Sequence, residues 1–76
     1  MTTFDKVKAL ILSQLRVDAG KVTPEARLVE DLGADSANVM VLVMELEEKF
    51  NITVEDDAIM EMRTVADVVR YIDAHQ

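Results

Sequence analysis

Cysteine and tryptophan are absent from the 76 residues, histidine and proline occur once each, glycine twice, and aromatic side chains make up 4%. The missing cysteine excludes a disulfide staple, a thiolate metal site and a cysteine nucleophile. So few rings leave the core to aliphatic packing. Helix breakers are confined, since Gly20, Pro24 and Gly33 all fall within residues 18–35. The flanking stretches are therefore free to run as uninterrupted helices. No apolar run approaches the roughly 20 residues that cross a bilayer. The opening MTTFDKVK carries acidic Asp5 with no long apolar stretch after it, unlike a secretory leader. A cytoplasmic location is expected.

Basic charge is also scarce, with 8 Lys and Arg against 15 Asp and Glu and a net charge of −7. Nucleic acids and anionic membranes select basic surfaces, so neither is an expected partner. The acids are concentrated. Residues 30–61 hold ten of them against Lys49 alone, a balance of −9. Such a run is either a solvated helical face or a surface for basic partners. The length suits one domain over residues 1–76, near the lower limit for a self-sufficient core. A monomer is expected.

Helical spacing organises the rest. Phe4, Val7, Ile11 and Leu15, with Leu10 beside them, predict a first helix over about residues 3–16. Thr2 and Asp5 have capping-box spacing, and Gly20 is placed to follow the helix end. Residues 18–35 form a long connection in which Thr23-Pro24-Glu25 suits a short helical turn and Leu28, Val29 and Leu32 are expected to tuck inward. A connection of this length in a small domain is often functional. A second helix is predicted over about 36–50 with Asn51 as a left-handed terminator, and a short third over about 56–61. Thr64 with Asp67 opens a fourth helix, whose buried stripe is Val65, Val68, Val69 and Ile72. The expected fold is all-α: a four-helix bundle of three longer helices and a short third, with a long loop between the first two.

The second helix is apolar to excess. Val39, Leu42, Val43, Leu46 and Phe50 make one stripe, and Ala37, Met40, Val41, Met44 and Glu48 make another. The methionines of the second stripe are either core filler or part of an exposed strip for adaptable binding.

Asp35 and Ser36 stand where the loop enters this helix, and both are good N-cap residues. One residue suffices for a cap. If Asp35 takes that role, Ser36 becomes the first helical residue with its hydroxyl free, at a helix end that suits an attached phosphate. Catalysis by Ser36 would need a base within reach. The single histidine, His75, is expected as a frayed, solvated terminal residue. No phosphate loop, HExxH or GxGxxG motif is present. The acids of Asp31–Asp35 and Glu55–Asp57 depart from EF-hand spacing. Loose divalent binding is compatible with them, and no dedicated metal site is expected.

With these residues in view, the chain resembles acyl carrier proteins of the dissociated bacterial fatty-acid-synthase type. The resemblance spans the whole chain. It rests on Val29-Glu30-Asp31-Leu32-Gly33-Ala34-Asp35-Ser36, on Leu42-Val43-Met44-Glu45-Leu46-Glu47-Glu48-Lys49-Phe50, and on Arg63-Thr64-Val65. It implies a carrier and not an enzyme. Ser36 would be the attachment point of 4′-phosphopantetheine, transferred from coenzyme A by a holo-acyl-carrier-protein synthase. Fatty acid synthase enzymes with basic docking patches would meet Asp35, Asn38, Met40, Val41, Met44, Glu47, Glu48 and Asp56. An acyl pocket would be lined by Leu28, Val29, Leu32, Val43, Leu46, Phe50, Ile59, Met62 and Val68. The chain departs from the family pattern at Ala37, where leucine is usual, at Asn38, where aspartate is common, and at Val41, where glutamate is common.

The physical reading is compatible. A shuttle that meets many enzymes gains encounter rate from charge complementarity without tight binding. A thioester carrier without cysteine needs a thiol from a prosthetic group. Two alternatives stand beside this one. The first is a specialised carrier for polyketide, aminoacyl or other loading, although Leu-Gly-Ala-Asp-Ser favours the fatty-acid branch over peptidyl carriers, whose serine usually follows Gly-Gly. The second is an unmodified acidic adaptor for a basic protein or divalent ions.

Overall fold

A computed structural model describes residues 1–76. Four helices follow one another: α1 (Thr3–Gln14), α2 (Ser36–Phe50), α3 (Asp56–Glu61) and α4 (Val65–His75). A single 3₁₀ turn, Ala19–Lys21, interrupts the long connection between α1 and α2. No strand is present, and the only β-bridge is an isolated one between Arg27 and Thr64.

Local chemistry sets the helix starts. Thr2 caps α1 and Thr64 caps α4, each in a reciprocal box with the acid three residues on, Asp5 and Asp67. Asn51 ends α2 in the left-handed conformation, with φ 53°. The helix α3 differs, because Glu55 at its N-cap makes no side-chain capping bond and none of its residues is fully buried.

The helices meet along their apolar stripes, α1 packing on both α4 and α2. Val7 and Ile11 of α1 join Leu42, Val43, Leu46 and Phe50 of α2 and Val65, Val68 and Ile72 of α4. All 16 buried residues are apolar and none is polar or charged. Each large aliphatic side chain taken fully from water contributes roughly 1.5–3 kcal/mol. Burial of this kind, without a ring-rich centre or a covalent staple, holds the domain together.

Five expectations need correction. The first helix ends at Gln14 rather than near residue 16. Its C-cap, Leu15, is extended and its N–H still reaches the Ile11 carbonyl at 2.9 Å. Gly20 is thus not a helix terminator but part of the 3₁₀ turn. Pro24 opens no helix; the Ala26 N–H bonds the Thr23 carbonyl at 3.1 Å, which makes Pro24 the second residue of a tight turn. Proline's fixed φ suits that position as well as it suits a helix start.

Val29 points outward at 55% exposure. Here the Asp31 and Leu32 N–H groups both bond the Arg27 carbonyl at 3.0 Å, forming a single helical turn. Leu28 and Leu32, four apart, share its inner side and are buried, which leaves Val29 on the outer side. Finally, His75 is exposed but ordered. Its ring stacks on Tyr71 with centroids 4.0 Å apart, and its Nδ1 lies 2.8 Å from the Tyr71 carbonyl oxygen.

Candidate functional site at the start of α2

The site is built from the loop upward. The turn 27–32 is closed by Asp31, whose carboxylate accepts from the Arg27 N–H at 2.8 Å and from its guanidinium at 3.3 Å. The Arg27 backbone and side-chain hydrogen bonds hold the Asp31 carboxyl below the usual carboxylate range. The same pairing, with Glu30 nearby at 3.7 Å, raises Arg27. Gly33 follows with φ 73°, a conformation that side chains other than glycine strain to adopt. It turns the chain so that Ala34 is buried, and the Ala34 N–H bonds the Leu28 carbonyl at 2.9 Å.

The whole segment is then stitched to the α3–α4 junction through backbone. The Leu28 N–H bonds the Arg63 carbonyl at 2.8 Å, the Val65 N–H bonds the Ala26 carbonyl at 3.0 Å, and the Ala66 N–H bonds the Pro24 carbonyl at 2.9 Å. The long loop is therefore fixed in shape without being helix or sheet.

This frame delivers Asp35 to the N-cap of α2. Its Oδ1 accepts from the Asn38 N–H at 2.8 Å, and the Asn38 Oδ1 accepts from the Asp35 N–H at 3.2 Å. Ser36 is the first helical residue and is exposed. The cap is complete without the Ser36 hydroxyl, which stands at the positive end of a 15-residue helix. The spacing Asp35-x-x-Asn38 announces this box, but Asn38 reads from sequence only as a missing charge. No base accompanies Ser36; Asp35 is committed to Asn38, and His75 sits at the far end of α4.

Beyond Ser36, α2 exposes Met40, Val41 and Met44 in full view, Met44 at 61%. These methionines are not core filler. Val41 and Met44 border a shallow surface groove with Glu45, Glu47, Glu48 and Asn51. Two further exposed apolar side chains are Val29 on the loop and Met60 on α3, the latter 79% exposed. Glu48 and Asp56 are exposed among these residues. Glu47 differs, because its carboxylate accepts from the Val54 N–H at 3.0 Å and so fastens the α2–α3 connection.

The nine residues expected to line an acyl pocket are dispersed. Val29 is on the surface, which removes it from any such lining. Leu32, Val43, Leu46, Phe50, Met62 and Val68 are packed in the core, and Ile59 lies partly buried against it. Leu28 alone of the nine borders a small, partly open cavity between α1 and α2 with about 10 Å³ of space. Its other walls are Ile11, Gln14, Leu15, Ala34, Asn38, Val39 and Leu42. Sequence periodicity gave no sign of it, because a gap between stripes depends on how helices cross.

Comparison with known proteins places this geometry. Residues 5–72 match the family model described as a phosphopantetheine attachment site. Over 76 residues the chain is 53% identical to an acyl carrier protein of Helicobacter hepaticus, covering all of both chains. It is 52% identical over 73 residues to an acyl carrier protein of Helicobacter pylori, covering 96% of this chain and 94% of the relative. The fold superposes on the structure of the acyl carrier protein from Enterococcus faecalis with a TM-score of 0.85 and 33% identity, covering 100% of each chain.

Proposed function

The chain belongs to the acyl carrier protein family, and from that premise we propose that Ser36 carries its 4′-phosphopantetheine, with residues 1–76 acting as one carrier domain. As a member of this family the protein is a carrier of acyl chains in fatty acid biosynthesis and not a catalyst. The observation that supports Ser36 is the division of labour at the start of α2. Asp35 and Asn38 satisfy the cap between them and leave the adjoining hydroxyl exposed.

The residues present fit the group. Attachment needs an accessible hydroxyl with room for a phosphodiester, and a helix N-terminus tolerates the negative charge that results. In the reaction, Ser36 Oγ loses its proton and bonds to the coenzyme A phosphorus nearest pantetheine. The bond from that phosphorus to the other phosphate breaks, and 3′,5′-adenosine bisphosphate leaves. This chain offers no base at Ser36, so the proton passes to the partner synthase. Once attached, the group supplies the thiol that the sequence lacks and that holds acyl chains as thioesters.

The partners are a holo-acyl-carrier-protein synthase and fatty acid synthesis enzymes that present Arg and Lys. Glu48 and Asp56 supply the charge they meet, and Met40, Val41 and Met44 the apolar contact. Asp35, Asn38 and Glu47 serve the same surface from beneath, by fixing its backbone. The core residues Leu28, Leu32, Val43, Leu46, Phe50, Met62 and Val68, with Ile59, are close-packed here and would have to part to admit a long chain. No helix is long and apolar enough to cross a membrane; a cytoplasmic monomer fits this role.

The test is intact mass after incubation with coenzyme A and a phosphopantetheinyl transferase. One phosphopantetheine is expected on the wild-type chain and none on Ser36→Ala. Addition that persists in Ser36→Ala, or no addition to wild type, overturns the assignment.

A further inference from the structure

The sulfur of this chain is all thioether, with five methionines and no cysteine. Their surroundings divide them. Met62 is packed in the core at 6% exposure, whereas Met1, Met40, Met44 and Met60 are exposed, Met40 at 49%. Met40 and Met44 belong neither to the buried core nor to the partly buried side chains packed against it. They follow Ser36 at successive four-residue steps of α2, so the two thioethers share a stripe with the proposed attachment hydroxyl. Val29 and Val41 are exposed as well, so the apolar surface does not depend on sulfur alone. The methionines add to it a group that can change polarity.

A hydroperoxide brings about that change. A lone pair of the thioether sulfur attacks the terminal peroxide oxygen. The S–O bond forms, the O–O bond breaks, and an alcohol, or water from hydrogen peroxide, leaves with the proton. The sulfur loses two electrons and the peroxide gains them. The sulfoxide that results is polar and chiral. On Met44 it stands beside the shallow groove of Val41, Glu45, Glu47, Glu48 and Asn51. Ionised glutamates are acceptors only, so the three in that groove give the sulfoxide oxygen no donor and it keeps its water. A partner surface that covers Met40 and Met44 then has to strip that water away. The fold is unaffected, because neither side chain contributes to the core.

We propose that Met40 and Met44 are a reversible oxidation site, at which a hydroperoxide turns the exposed stripe of α2 from apolar to polar and weakens its contact with partner enzymes. A methionine sulfoxide reductase restores the thioether; a dithiol goes to the disulfide and the oxygen leaves as water. The oxidation depends only on exposure of the two sulfurs, and its effect on partners rests on the docking surface proposed above. Burial protects Met62, so the core keeps its packing while the surface changes.

The experiment treats the full chain with hydrogen peroxide, maps sulfoxides by peptide mass, and measures binding to an immobilised fatty acid synthesis enzyme that presents a basic patch. Met40 and Met44 are expected to gain oxygen several-fold faster than Met62, with the thermal midpoint unchanged. Affinity for the enzyme is expected to fall several-fold on oxidation and to return after treatment with a methionine sulfoxide reductase and dithiothreitol. The double variant Met40→Leu with Met44→Leu, similar in volume without the oxidisable sulfur, is expected to bind before peroxide and to keep its affinity afterwards. Met60→Leu is expected to lose affinity as the wild type does. Four results each overturn the proposal: Met62 oxidised as fast as Met40 and Met44, undiminished affinity of the mapped double sulfoxide, a loss that persists in the double leucine variant, or a loss that the reductase does not reverse. If the unoxidised chain does not bind the enzyme, the docking surface itself fails and the switch falls with it, whereas undiminished affinity after oxidation overturns the switch alone.

Discussion

Asp35 and Asn38 exchange two hydrogen bonds across the first turn of α2, backbone to side chain in each direction. Ser36, the proposed attachment point, lies between them and takes no part. The cap is thereby separable from the Ser36 hydroxyl, which a helix start with a lone serine as its cap would not allow.

Asp35→Ala removes the acceptor for the Asn38 N–H and is expected to cost about 1 kcal/mol of unfolding free energy. For a chain of this size that lowers the thermal midpoint by about 4–8 °C. Asn38→Ala, which keeps its own backbone N–H on Asp35, is expected to cost less. Urea titration followed by circular dichroism measures both, and no loss in Asp35→Ala would show that water replaces the cap at no cost.

Glu47 and Glu48 are neighbours with different work. Glu47 holds the Val54 N–H, whereas Glu48 is exposed. Glu47→Ala is expected to accelerate amide exchange at Val54 and to lower stability by about 0.5–1.5 kcal/mol. Glu48→Ala is expected to leave stability within about 0.5 kcal/mol and to slow association with a basic partner enzyme at low salt. Surface plasmon resonance against one such enzyme, with hydrogen exchange on both variants, separates the two roles.

Asp67 gives a pH dependence of known sign. Burial alone would raise its carboxyl, but hydrogen bonds from the Thr64 and Arg63 backbone and the Thr64 hydroxyl, with Arg70 beside it, bring it below 3.8. Asp5 and Asp31 are lowered in the same way by hydrogen bonds from Thr2 and from Arg27. A carboxyl lowered in the folded state stabilises above its unfolded value and loses that stabilisation as pH falls through its folded value. The stability advantage of wild type over Asp67→Asn is therefore expected to be constant above about pH 5 and to shrink below 3.8. Unfolding free energies of the pair between pH 7 and 2 measure it; a gap that widens in acid contradicts the sign.

The acids of residues 30–61 repel one another near neutral pH, and screening should relieve that strain. No three potential ligands converge on a metal position, so relief by Mg²⁺ is expected to be diffuse and matched by monovalent salt at higher ionic strength. The midpoint of thermal unfolding is expected to rise with either. A flat response would mean that the charges are too dispersed to matter.

Much of this was legible in the residues because it is local. The threonine boxes at Thr2 and Thr64, the left-handed Asn51 and the limits of α2 and α3 follow from spacing within one or two turns. Where backbone bonds come from afar, legibility ends. At Pro24 and Val29, bonds within tight turns, and to Arg63 and Ala66, override helical periodicity. The exposure of Met40 and Met44 depends on which face α2 packs against α1, which spacing alone leaves open. The cavity at Gln14 had no local signal at all.

The backbone bonds that join residues 24–28 to residues 63–66 also set an order of events. On the ribosome α2 is made before α4, so the segment leading to Ser36 still lacks its hydrogen-bond partners while the chain is growing. The loop can take its final shape only after the last helix has emerged and folded back. A modifying enzyme that reads the shape of this loop, and not the serine alone, will act on the released polypeptide and pass over the nascent one.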